Sequence, residues 1–161
     1  MKVMKKTSAT KALVLAAAML LGHASCSDDE RDMERPTITT EGITAQPAEC
    51  DAYRIGDVIQ VCYRLTDNEE LGNFNLEIHS NHDHHTHSTS AVECDPDPVS
   101  HPDNPWVFNH DYAIPSGMRD YTIHEDIPVP DGIAPGDYHF MIRVTDRAGW
   151  QELRSMAIKI Q

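Results

Sequence analysis

The sequence predicts an all-β protein, an antiparallel β-sandwich of about seven strands that follows a signal peptide and a flexible tether. Two observations carry that prediction. After residue 36 apolar side chains recur at period two, and no segment of useful length has the 3.6-residue period of a helix. The alternating segments are separated at short intervals by Gly, Pro, Asn and Asp, which stop strands and turn chains. Residues 36–161 are long enough for one domain with a single core.

The leader comes first. Lys2, Lys5, Lys6 and Lys11 precede or abut an apolar stretch at 12–22, and no acidic residue occurs before Asp28. Eleven apolar residues fall short of the ~20 that span a bilayer as a helix, but they fit the central region of a secretory signal over 1–25. Ala24-Ser25-Cys26 resembles a bacterial lipoprotein cleavage site, which implies lipid on Cys26, although His23 stands where Leu is usual. The alternative is ordinary cleavage near Ala24 with Cys26 a plain thiol. Ser27-Asp28-Asp29-Glu30 resembles the acidic export tag of surface lipoproteins of Bacteroidota; a simply solvated acidic tether is the plainer reading. Residues 26–35 are thus expected to be a lipidated tether. The chain is expected to be lipid-anchored at the outer membrane, facing the cell exterior, without spanning the membrane.

Charge narrows the function. Four of the 13 Lys and Arg lie in the leader, so the chain from Cys26 carries 26 acidic against 9 basic side chains, a formal −17. A nucleic-acid binder working by phosphate neutralisation needs the opposite sign, as does a polybasic membrane-surface domain.

Strands are expected at 36–40, 57–66, 73–80, 106–114, 121–129, 137–145 and 152–160. In the second, Ile59, Val61, Tyr63 and Leu65 share a face; in the third, Phe74, Leu76 and Ile78 do. Residues 127–150 resemble the E–F–G region of an immunoglobulin-like domain, with Tyr138 as its corner tyrosine and Phe140 where antibody domains place a cysteine. The Cys…Trp…Cys signature is absent, so the resemblance is to the broad bacterial Ig-like class. Three cysteines besides Cys26 predict one disulfide and one leftover thiol in an oxidising compartment. Cys50 and Cys62 flank Gly56 symmetrically in a hairpin-like segment, whereas Cys94 would close the loop containing the histidines; all three pairings stay open.

Five of the nine histidines beyond the leader fall within nine residues: His79, His82, His84, His85 and His87, with Asp83 among them. Imidazole is the commonest ligand for zinc and copper, and a carboxylate can complete such a site. In an extended chain His85 and His87 project to one side; a turn would bring His84 and His87 together. Strand C of an Ig-like sandwich lies antiparallel beside strand F. With 73–80 as C and 137–145 as F, His79 and His139 become outward-facing neighbours. The expected metal ligands are His79, His85, His87 and His139, with His84 and Asp83 as substitutes. Competing readings are a solvated polar loop, a pH-responsive patch and adventitious binding. His124 points outward from the other sheet, and His101 and His110 sit in loop-like sequence.

Several separated motifs resemble an uncharacterised family of Ig-like surface lipoproteins of Bacteroidota. They are Pro36-Thr37-Ile38, Gly56-Asp57, Glu70-Leu71-Gly72, the Ile-His-x-Asn-x-Asp-His-His-x-His run from Ile78 to His87, Gly136-Asp137-Tyr138-His139-Phe140, and Asp146-x-x-Gly149-Trp150-Gln151. The resemblance covers about 36–161 and implies an Ig-like fold and a surface lipoprotein, with no activity attached. Where the run commonly has an aromatic, this chain has His82, the least secure of the five as a ligand.

No nucleophile elbow, phosphate loop or HExxH motif is present, so no enzyme is expected. The expected function is capture of zinc or copper at the cell surface, with delivery to an outer-membrane transporter as the onward step. The alternative is an adhesion or glycan-binding module that uses Trp106, Tyr112 and Trp150. A weaker third is calcium binding by the acidic loop 93–103, which lacks EF-hand spacing.

Overall fold

The computed structural model describes residues 31–86 and 94–161. The expected signal peptide, Cys26, the acidic 27–30 stretch, His87 and Glu93 lie outside the described residues. Eight strands and no helix occur among the described residues: β1 (Thr37–Thr39), β2 (Asp51–Tyr53), β3 (Val58–Thr66), β4 (Leu71–Ser80), β5 (Phe108–Ala113), β6 (Asp120–Pro128), β7 (Gly136–Asp146) and β8 (Gln151–Ile160). They form a three-stranded sheet, β1-β3-β6, and a five-stranded sheet, β2-β8-β7-β4-β5. Strands β1, β3 and β6 correspond to A, B and E of an Ig-like sandwich, and β4, β7 and β8 to C, F and G.

Alternation builds the core. Ile59, Val61, Tyr63 and Leu65 of β3 are buried, facing Phe74, Leu76 and Ile78 of β4 and Phe140, Ile142 and Val144 of β7 in one apolar cluster. The most continuously buried strand is β7, the central one, bonded on both edges to β4 and β8. Tyr138 acts as the corner tyrosine: its hydroxyl donates to Ala134 O at 2.6 Å and accepts from Trp106 N at 3.0 Å. Gly72 sits at an irregularity between β4 and β7, where a Cβ would come within 2.8 Å of Thr145 O and 2.9 Å of Asp146 O. Only glycine allows that approach.

All seven expected strands are present, with one more. The added strand, β2, is three residues long and pairs in parallel with β8, too short for alternation to reveal. It also removes the hairpin expected around Gly56. β2 joins one sheet and β3 the other, so Cys50 and Cys62 are not cross-strand partners. The disulfide joins Cys50 to Cys94, 44 residues apart, and Cys62 remains a free thiol. The stretch expected to be a tether is held at its last residues. Trp150 Nε1–H donates to Asp32 O at 2.9 Å, and the Arg35 guanidinium lies 5.9 Å from the Trp150 ring centre.

Candidate metal centre

The register of β4 and β7 sets His79 directly opposite His139, the neighbour relation expected from the strand alternation. Past Ser80 the chain turns back over this pair: Asn81 N–H donates to Asp137 O at 2.8 Å, and His84 N–H donates to Asn81 O at 3.1 Å. The turn delivers His85 above both rings. Centre-to-centre distances are 5.3 Å for His79–His85, 5.1 Å for His85–His139 and 5.5 Å for His79–His139. His139 is 5% exposed, so the loop covers a strand position that would otherwise face solvent.

Carboxylates orient two of the rings. His79 Nδ1 lies 2.9 Å from Glu77 Oε1, the residue two before it on the same strand face. His85 Nδ1 lies 2.5 Å from Asp83 Oδ1. The hydrogen bond from His85 holds the Asp83 carboxyl below its usual range, so Asp83 acts as a charged acceptor. A carboxylate beside Nδ1 favours the tautomer with its proton there and leaves Nε2 as the donor atom for a metal. The two Nε2 atoms face each other at 3.2 Å. Lone pairs meeting at that distance are satisfied by a shared proton or a shared cation. Two nitrogens on one tetrahedral zinc, each at about 2.05 Å, stand about 3.3 Å apart, so the observed separation fits a transition ion.

His139 is turned differently. Its Nε2 lies 3.1 Å from the His85 carbonyl oxygen, to which it can donate, and that leaves Nδ1 as its ligating atom. As it stands, the imidazole cluster does not place three ligand atoms within 4.8 Å of one another; among the described residues, Asp32, Asp67 and Asp146 do.

The other histidines are placed elsewhere. His84, at a left-handed φ of 57°, puts Nε2 3.9 Å from Asp137 Oδ2. His82 is buried, with Nε2 3.0 Å from Pro135 O and its ring edge-on to Tyr138. It packs as an aromatic would, and a Cβ at Gly136 would meet its Nε2 at 2.6 Å. His110 contacts Tyr112 on the edge strand β5, His124 is exposed on β6 in the other sheet, and His101 is exposed. In the acidic loop, Asp97 and the Asp95 carbonyl hold Lys159 Nζ at 3.0 Å. Trp106 is buried at 7% exposure. The pairing of Glu77 with His79 is not among the expectations drawn from the sequence, although their i, i+2 spacing on one strand is a signal for it.

No curated protein matches this chain. A domain of unknown function, DUF4625, matches residues 24–161, which is most of the sequence, and the chain belongs to that family.

Proposed function

We propose that this protein is a non-enzymatic, lipid-anchored surface protein of the Bacteroidota outer membrane that captures zinc or copper at His79 and His85, with His139 closing the set and His87 as a further ligand. Delivery to an outer-membrane transporter is the onward step. The observation that supports the metal reading most is the facing pair of Nε2 atoms at 3.2 Å, with a carboxylate beside each Nδ1. Such outer carboxylates raise ligand basicity and fix ring orientation. The donor set favours borderline ions over calcium or magnesium, which take oxygen. The lipid-anchor reading is supported by the cationic and apolar leader and by Ala24-Ser25-Cys26 after it. Against the adhesion alternative, Trp106 is buried and the imidazoles gather in place of scattering.

Calorimetric titration of the metal-free, untagged protein with zinc tests the reading. One ion per chain is expected, with affinity reduced at least tenfold by His79→Ala or His85→Ala. A His79→Ala/His139→Ala variant that binds zinc like the wild type ends the proposal, as does the absence of any saturable zinc binding by the wild type.

A further inference from the structure

A second cluster of ligand-type side chains lies at the other end of β7. Asp146 is the last residue of that strand, Asp67 opens the turn between β3 and β4, and Asp32 belongs to the segment before β1. One carboxylate oxygen from each lies within 4.8 Å of the other two. Two oxygens on one calcium ion, each about 2.4 Å from it, are at most about 4.8 Å apart, so a single ion fits the spacing.

Burial is the independent observation. Asp146 is 4% exposed; its Oδ1 accepts from Trp150 N at 2.8 Å, while its Oδ2 is buried with no hydrogen-bond partner among the described residues. Asp67 repeats the pattern. Its Oδ1 accepts from the backbone N–H groups of Glu69 and Glu70, and its Oδ2 is buried without a partner. Among the described residues none of the three carboxylates pairs with a Lys, Arg or His. The nearby cations serve other acids: Arg119 pairs with Glu69 and Arg147 with Glu70, each at 3.3 Å. A buried carboxylate oxygen without a partner, set beside two more carboxylates, is costly unless a cation sits among them.

We propose that Asp32, Asp67 and Asp146 form a calcium site, distinct from the imidazole cluster and independent of its function. All three donors are carboxylates and no nitrogen or sulfur ligand is among them, which selects a hard ion. Calcium takes about 6–8 oxygens in flexible geometry, whereas magnesium demands a near-ideal octahedron. Three segments meet here, so an ion would clasp the lead-in at Asp32 to the two turns.

The test is terbium luminescence on the full chain, with Trp150 as sensitiser because its indole N–H bonds Asp32, followed by displacement with calcium. Saturable luminescence reversed by calcium is expected, in the ~10⁻⁴–10⁻³ M range typical of extracellular modules. Asp146→Asn keeps the Oδ1 acceptor and should weaken calcium at least tenfold. Asp32→Asn, at a half-buried position outside the strands, should do the same if Asp146→Asn fails to fold. His79→Ala/His85→Ala should leave the signal unchanged. The proposal is overturned if calcium up to about 10 mM displaces nothing, if Asp32→Asn binds like the wild type, or if the histidine variant abolishes the signal.

Discussion

The two ends of β7 gather ligand-type side chains by opposite means. At its start, His139 and His79 are fixed by strand register, and the adjoining loop adds His85 above them. At its finish, Asp146 meets Asp67 from a turn and Asp32 from the segment before β1. Seven residues separate His139 from Asp146, about 23 Å at ~3.3 Å per residue, so the two clusters are not in direct contact and, as proposed, would hold separate ions. The nitrogen end is built from orientation: His79 Nδ1 and His85 Nδ1 each have a carboxylate partner, and the Nε2 atoms of those two rings converge. The oxygen end is built from unmet need, with buried Oδ2 atoms on Asp67 and Asp146 and, among the described residues, no cationic side chain paired to them. Donor type, set by which residues the fold exposes at each end, is what would divide a borderline ion from a hard one.

Variants at one end should leave the other untouched. The largest effect is expected from Glu77→Gln, which keeps the shape of the strand but removes the carboxylate beside His79 Nδ1. Zinc affinity should fall by about tenfold to a hundredfold, read by calorimetry, with calcium-dependent terbium displacement unchanged. Equal zinc affinity would show that Glu77 does not orient the ring. A smaller effect is expected from Trp150→Phe, which removes the hydrogen bond to Asp32 O. Loss of about 1 kcal/mol should lower the melting temperature by roughly 4 °C in differential scanning calorimetry, and zinc binding should not move. A melting point identical to the wild type would detach Asp32 from the stability of the turns. The smallest effect concerns Glu70, whose carboxyl is held below its usual range by the Gly117 N–H, then the Ser116 hydroxyl, then Arg147. A depressed folded value means that the stabilisation is fully present above the ordinary value of 4.5 and is lost as pH falls through the folded value. Glu70→Gln should therefore lower the melting temperature slightly at neutral pH and not at all in strong acid; an equal loss at both would contradict the ionised role.

The difference between the ends also explains what the sequence made legible. His79, His85 and His139 were readable because two lie in one short run and the third sits opposite through an alternation that also predicts the strands. The turn that lifts His85, and the diversion of His84 toward Asp137, depend on a left-handed residue that no periodicity signals. His82 stands apart from the cluster, in an aromatic's place against Tyr138. The aspartates were illegible for another reason. Asp32, Asp67 and Asp146 are far apart in sequence, and each resembles an ordinary turn or linker residue in a chain with 26 acidic side chains. Strand β2 was missed because three residues bonded in parallel to β8 show no pattern.

The Cys50–Cys94 bridge has a practical consequence for the imidazole end. Cys50 N–H donates to Ala157 O at 2.9 Å, so the covalent link staples the return of the histidine loop to the edge of the larger sheet. The two sheets do not rely on that staple for their contacts. Protein made in a reducing cytosol would therefore keep its sheet pairing, while the histidine loop lost its covalent link and kept only hydrogen bonds such as Ser100 N–H to His82 O at 3.0 Å and Asp97 N–H to Asp137 Oδ2 at 2.7 Å. If the proposed zinc site holds, titrations of such material would understate its affinity in the oxidised protein.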